Sequence, residues 1–410
     1  MRCDILAVGT ELLLGQIADT NSAWLGEHLA SLGIESYEHR HVGDNVERIA
    51  DALEDMLANA DALLVVGGLG PTQDDVTRDA IAKILGVELE LRSEILDQIS
   101  ERFAQRGMQM PANNKRQAEF PKGTDVITNP LGTAPSIRAE YKEAVLYALP
   151  GVPTEMQAIF QQKVRQELLE RSGNTGAIVS RVLKLWGTSE SAIAELIADR
   201  VDQQTNPTIA FLARGIEGIW VRITARAATE QAARALIEPE EQALREVLGD
   251  LVFATDDQTM ESVILDLLRE LGLSLGVAES LTGGLVSARL VNIPGASDVF
   301  QGSVISYADN VKRNLLGVTA KHVISEETAA QMAQGVCKAT GSEVGIAITG
   351  VAGPDEQDGQ PVGTVCFGLS LPGKPAEAVS TRFLGGRQTI RHLATISLLN
   401  LLRLKLLAST

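Results

Sequence analysis

Ala62-Leu-Leu-Val-Val-Gly-Gly-Leu-Gly-Pro-Thr-Gln-Asp-Asp-Val-Thr77 is the stretch on which the fold turns. Five apolar residues read as a strand buried on both faces, the habit of a parallel sheet covered by helices on each side. The glycines that follow let the backbone approach a ligand, and an apolar-periodic helix through Ala80, Ile81 and Ile84 comes next. Strand, glycine loop and helix form the unit of an α/β fold whose ligands sit beyond the carboxyl ends of the strands.

Upstream the same rhythm holds. Asp4 to Val8 is a buried-strand run, and Asn21-Ser22 caps a helix with Leu25, Leu29 and Leu32 on one face, stopped by Gly33. A second helix with Val46, Ile49, Leu53, Met56 and Leu57 delivers the chain into Ala62. Downstream, a strand from Ala144 to Leu149 meets the fixed turn Pro150-Gly-Val-Pro153, and a long helix from Met156 to Leu169 closes a first domain over residues 1–170. Arg171-Ser-Gly-Asn-Thr-Gly176 reads as a linker.

A small α+β segment over 177–252 follows. Ser180 to Leu185 is strand-like, and Ser189 caps a helix using Ile193, Leu196, Ile197 and Val201. Pro207 to Ala213 and Ile219 to Ala225 alternate as strands around Arg214-Gly-Ile-Glu-Gly218, and an acidic helix runs toward Leu248. Gly215-Ile-Glu-Gly218 has the spacing of a loop that clamps RNA backbone. It tips a hairpin, carries a glutamate and lies in an acidic chain, so a spacer or dimer element is the better reading.

The third unit, 257–410, opens with a helix through Met260, Ile264, Leu268 and Leu271 that ends at Gly272. A strand from Leu273 to Ala278 then empties into Glu279-Ser280, and Thr282-Gly283-Gly284 opens another helix. This places Ser280 Oγ at a helix N-terminus, whose amides can hold an oxyanion. Serine needs a base. Ser306-Tyr307-Ala-Asp-Asn-Val-Lys312 offers one, because a desolvated lysine can lose its charge. Ser-x-Thr-Gly-Gly also serves as a plain cap and tight turn, and that alternative stays open. Strands at Phe300 to Ile305, Ser342 to Ile348 and Pro361 to Leu371, with a C-terminal helix from Ile390 to Ala408, complete the unit.

In the first domain, Asp74 and Asp75 stand where a phosphate would otherwise be welcome. Aspartates in a first helical turn stabilise the dipole without a ligand, by about 0.3–1 kcal/mol each. The other reading is a divalent metal bridging carboxylate and phosphate.

Ala278-Glu-Ser-Leu-Thr-Gly-Gly284, Ser306-Tyr-Ala-Asp-Asn-Val-Lys312 and Ile348-Thr-Gly-Val-Ala-Gly-Pro354 together resemble the C-terminal domain of the CinA family. Gly9-Thr-Glu-Leu-Leu-Leu-Gly15 with Asn21, the glycine loop, Asn114-Lys-Arg-Gln117, Asn129-Pro-Leu-Gly-Thr-Ala-Pro135 and Leu149-Pro-Gly-Val-Pro-Thr-Glu-Met156 resemble its N-terminal domain. The resemblance implies a molybdopterin-binding-like, mostly parallel sheet domain, a KH-like α+β middle domain and a C-terminal α/β deamidase domain. It implies hydrolysis of nicotinamide mononucleotide (NMN) by the last, with no cofactor, and of ADP-ribose by the first, with a divalent cobalt, magnesium or manganese ion. Ser280, Lys312 and Tyr307 become the catalytic set. Gly283, Gly284, Ser303, Thr349, Gly350, Arg387 and Arg391 become substrate contacts, with Arg387 placed better than Arg391 to meet a phosphate. In the first domain the resemblance implies Gly67, Gly68, Gly70, Pro71, Thr72, Asn114, Gly132 and Thr133 as substrate contacts and Asp74, Asp75, Glu11 and Glu155 as metal or catalytic carboxylates. Leu281 stands where the family commonly has cysteine, which leaves Ser280 as the nucleophile. Gly386 stands where an aspartate commonly precedes the arginine. Two alternatives remain: a non-catalytic molybdopterin- or nucleotide-binding scaffold linked to competence, and a deamidase with a degenerate first domain.

The net charge of −17 argues against nucleic-acid binding, so small nucleotides are the expected partners and positive charge must be local. Three scattered cysteines, Cys3, Cys337 and Cys366, fit a reducing cytoplasm better than a disulfide framework. A strand starting at residue 4 leaves no room for a signal peptide, and Arg391, His392, Arg403 and Lys405 interrupt the most apolar run, so no membrane span is expected. The resemblance alone implies a homodimer.

Overall fold

The computed structural model describes residues 1–173, 176–213 and 215–409. It forms two compact units, Met1–Val179 with Arg226–Ala233, and Ser180–Ala225 with Arg234–Thr410. The expected boundary near 252–257 is therefore a change of architecture inside one compact body.

In the first unit, β1 (Cys3–Val8), β2 (His39–Val42) and β3 (Ala62–Val66) lead to a short pair, β4 (Leu89–Leu91) with β5 (Glu119–Pro121). Then come β6 (Asp125–Ile127), β7 (Ser136–Tyr141) and β8 (Ala144–Leu149), and the main sheet runs β2-β1-β3-β8-β7-β6. The four strands from β2 to β8 are parallel and the last two antiparallel. Alternation divides the apolar side chains between two cores. Leu6, Leu63, Val65 and Leu146 meet the helix Val46–Leu57, while Ile5, Leu64, Val66 and Tyr147 meet Leu25, Leu29 and Phe160. Asp19, rather than Asn21-Ser22, caps the helix Thr20–Ser31, accepting from Ser22 N at 2.9 Å. The closing helix begins at Pro153, passes through a π-turn at Phe160–Val164 and ends at Ser172. The expected linker thus begins with two helical residues, and its Asn174 and Thr175 lie outside the described residues.

The middle sheet comprises β9 (Ala177–Leu185), β10 (Thr208–Ala213), β11 (Ile219–Ala227) and β12 (Val252–Thr255), in the order β10-β11-β9-β12. The helix after Ser189 is broken into Glu190–Leu196 and Ala198–Gln203. Gly218 has φ 87°, and a Cβ there would lie 2.1 Å from Leu185 O. Its glycine is explained by this close approach, and Glu217 bonds Arg289 at 3.0 Å. Arg403 Nη2 bonds Asp250 O at 2.6 Å, tying the middle sheet to the C-terminal helix Arg387–Leu407.

The C-terminal sheet contains β13 (Leu275–Glu279), β14 (Phe300–Ile305), β15 (Val344–Gly350), β16 (Thr364–Ser370) and β17 (Glu377–Arg382), ordered β14-β13-β15-β16-β17. The first three are parallel, with Glu279 beside Ile305 and Ile348, so their carboxyl ends share one edge. Leu275, Val277, Ile346 and Ile348 face the helices Met260–Leu271 and Arg387–Leu407. Ala278 and Ala347 face Met332, Ala333 and Val336 of the helix Glu326–Thr340. No described helix is long and apolar enough to cross a membrane.

Candidate active sites

In the first unit, the loops after β1, β3 and β8 converge on a cleft of about 440 Å³. Glu11, Asp74, Asp75, Glu155, Gly67, Gly68, Gly70, Pro71, Thr72 and Thr133 all line it. Asn114 and Gly132 do not. Asn114 is buried and donates to Gln117 Oε1 at 2.8 Å, so Gln117 reaches the cleft instead. Gly132 lies behind Glu155, where a Cβ would meet the carboxylate.

The glycine loop owes its shape to contacts within the chain. A Cβ on Gly67 would lie 2.3 Å from Val8 O, and one on Gly68 2.2 Å from Thr77 Oγ1. Gly67 N donates to Leu149 O at 3.0 Å. Gly70 N and Thr72 N donate to Asp75 at 2.7 and 2.8 Å, and Thr72 Oγ1 donates to the same carboxylate. These amides are spent, which corrects their expected role as a phosphate cradle. Asp75 is likewise a loop organiser rather than a free metal ligand.

Positive charge comes from a side chain that sequence reading missed. Arg78 is fully buried, with Nη2 2.5 Å from Leu69 O and Nη1 3.3 Å from Gly70 O. Burial pulls its pKa down to about 10, still well above neutrality. Asp44 and Asp19 also line the cleft and were missed, because the strand leading to Asp44 is the polar run His39–Val42.

Among the described residues, no three acidic, histidine or cysteine side chains gather into a metal-holding group. Glu155 Oε2 accepts from Asn129 Nδ2 at 2.6 Å. The expected cage of four carboxylates is therefore absent. Glu11, Asp74 and Glu155 remain on the cleft, enough for a magnesium-like ion, which takes only one or two carboxylates from protein.

In the C-terminal sheet, the ends of β13, β14 and β15 open onto a cavity of about 280 Å³. Ser280, Tyr307, Lys312, Thr349, Gly350 and Arg387 all line it. Lys312 sits in the helix Asp309–Leu316, 2% exposed. Its Nζ has only long contacts, 3.4 Å to Asp309 Oδ1 and 3.5 Å to Tyr307 O. Burial lowers its pKa, and Asp309 opposes that shift in part. Tyr307 is 59% exposed at the mouth, and its hydroxyl accepts from Arg387 Nη2 at 2.7 Å. Arg387 Nη1 donates to Gly353 O at 2.7 Å. Thr349 Oγ1 donates to Val323 O at 2.9 Å, and a Cβ on Gly350 would lie 2.4 Å from Thr364 O.

Four expected contacts are not available as read. Ser303 is exposed on the edge strand β14 and does not line the cavity. Gly283 N donates to Ser280 O at 3.1 Å, and Gly284 N to Glu279 Oε2 at 2.9 Å, so neither amide is free for an oxyanion. Arg391 donates to Leu281 O and Thr282 O and does not line the cavity. The buried Glu279 was missed; a carboxylate next to the serine becomes informative only once the turn is folded.

Two clefts at strand ends, on two α/β sheets with a KH-like segment between them in sequence, define a modular α/β protein with two candidate sites. Residues 4–170 match the probable molybdopterin binding domain, 180–254 the damage-inducible protein CinA KH domain, and 257–406 the CinA C-terminal domain. A CinA-like protein of Frankia casuarinae is 44% identical over 98% of this chain and 96% of its own length. One from Dictyoglomus thermophilum is 42% identical over 99% and 100%. The crystal structure of the protein CinA with unknown function from Thermoplasma acidophilum is 30% identical, covers 41% of this chain and 97% of that one, and gives a TM-score of 0.38. The chain belongs to the CinA family.

Proposed function

We propose that the C-terminal cavity hydrolyses the carboxamide of NMN, giving nicotinate mononucleotide and ammonia. The observation that carries this reading is the buried, weakly paired Lys312 amine on the same cavity as Ser280. Ser280 Oγ attacks the amide carbon while neutral Lys312 Nζ takes its proton. The C–N bond then breaks. Tyr307, whose oxygen accepts from Arg387, keeps its own O–H to pass to the departing ammonia. Water adds to the ester and gives its proton to the Tyr307 oxygen, the C–O bond to serine breaks as Lys312 returns its proton to Ser280 Oγ, and the acid leaves. With Gly283 and Gly284 engaged, the amide of Leu281, which lines the cavity, is the donor for the oxyanion. Arg387 at the mouth is the partner for the phosphate, and its Tyr307 and Gly353 contacts must loosen to admit it.

We infer that the first-unit cleft hydrolyses ADP-ribose to AMP and ribose 5-phosphate. A divalent ion, held by one or two of the carboxylates Asp74, Glu11 and Glu155 together with the diphosphate, would supply charge neutralisation there. The chain's own contribution is the buried Arg78 charge behind a loop fixed by Asp75.

Acid-quenching the enzyme during turnover of NMN and digesting it tests the amidase. A nicotinoyl nucleotide ester is expected on the peptide containing Ser280. An ester on another residue, or none while ammonia is released in a burst, would remove Ser280 as nucleophile.

A further inference from the structure

The turn that carries Ser280 is gripped from two sides by opposite charges. On the amide side, Glu279 is 0% exposed and accepts from Gly284 N at 2.9 Å, Val286 N at 3.1 Å, Ser287 N at 2.9 Å and Ser287 Oγ at 2.6 Å. A buried carboxylate is tolerable only when its oxygens are hydrogen-bonded, and here every neighbour is a donor. A glutamine would set its NH₂ against N–H groups, so the site calls for an acceptor oxygen at both positions.

On the carbonyl side, Arg391 reaches in from the C-terminal helix. Its Nε donates to Leu281 O at 2.9 Å and its Nη2 to Thr282 O at 2.6 Å. A trans peptide is planar, so its C=O and the next N–H point opposite ways. Holding Leu281 O therefore turns the Thr282 amide away from Arg391, and holding Thr282 O turns the Gly283 amide, which closes on Ser280 O at 3.1 Å. Ser280 N is held by Ile348 O at 3.0 Å. Within 280–284, the amides of Leu281 and Thr282 are those left without an acceptor among the described residues.

We propose that Glu279 and Arg391 form a clamp that sets the direction of the Ser280 turn and its two remaining amides. Both are positioning residues for the amidase proposed above, on which this inference rests. Neither lines the cavity. A one-sided cap would need only the carboxylate; the guanidinium on two consecutive carbonyls fixes the peptide planes that a cap leaves loose.

Glu279→Gln and Arg391→Lys in the full chain test the clamp through hydrogen exchange in the 279–287 peptide and through kcat and KM for ammonia release. Lysine keeps the charge but cannot hold both carbonyls as a fork does. Faster exchange is expected in both variants, with kcat reduced about 10- to 100-fold and KM held within about twofold. Unchanged exchange would overturn the clamp whatever the activity. A raised KM with unchanged kcat in Arg391→Lys would return that arginine to substrate binding and also overturn it. Were the wild type to release no ammonia, the amidase reading would fail while the exchange measurement still decided the clamp. If Glu279→Gln does not fold, Arg391→Lys carries the test alone.

Discussion

Lys312 is where chemistry and stability pull in opposite directions. Its folded pKa lies below the ordinary 10.5 because the amine is buried. Below that folded value, folding must bury a charge; between it and 10.5, the unfolded chain binds the proton that the folded chain has released. The stability this group withholds at low pH is therefore recovered as pH rises through that window. Replacing it by Met should raise the melting temperature at neutral pH while lowering ammonia release by about 10²- to 10⁴-fold. Across pH, kcat/KM of the wild type should climb through one ionisation below 10.5, and Lys312→Met should lose that climb. A lower melting temperature, or a climb that persists in the variant, would mean the amine is neither strained nor the base. Ser280 and Lys312, which line one cavity, were singled out by the family resemblance, because a strand-to-turn serine serves equally well as a plain cap. The roles proposed for Glu279 and Arg391 were not legible in sequence, since they exist only through backbone groups that the turn itself creates.

At the scale of elements, the strands read correctly were those buried on both faces, such as β1, β3 and β8, where apolar runs leave little choice. The polar β2 and the largely exposed edge strand β17 gave no such signal. Neither did the helix Glu326–Thr340, whose buried face mixes the small residues Thr328, Ala329, Ala333 and Gly335 with Met332 and Val336. That helix lies close on the sheet because glycine faces it. A Cβ on Gly345 would fall 2.1 Å from Ala333 O, and one on Gly368 2.0 Å from Ala329 O. Neither residue needs glycine for a left-handed backbone, so close approach is the reason. Gly345→Ala should push the helix outward and cost about 1–3 kcal/mol by urea unfolding, as overpacking does. No loss of stability would show that the helix and sheet yield without strain.

Over the whole molecule, an excess of 17 negative charges coexists with two clefts that are expected to take anionic nucleotides. Arg78, buried behind the glycine loop, and Arg387, at the mouth of the second cavity, are the local cations on which the proposed binding would draw in place of the average charge. The order of strands and helices foretold an α/β chain with a distinct middle segment. It did not foretell that the middle sheet packs into one unit with the C-terminal sheet, because the Arg403 and Arg289 ties span distances that no local pattern encodes. The two clefts lie in different compact units, and their proposed chemistry is separate, one serine-based and one assisted by a metal ion. The direct measurement follows ammonia from NMN and AMP from ADP-ribose in the same preparation, with and without a chelator, for the wild type and Ser280→Ala. The chelator is expected to abolish AMP formation alone and the substitution to abolish ammonia release alone; ammonia release that survives in Ser280→Ala, or two activities that fall together, would contradict a serine amidase separate from a metal-assisted hydrolase.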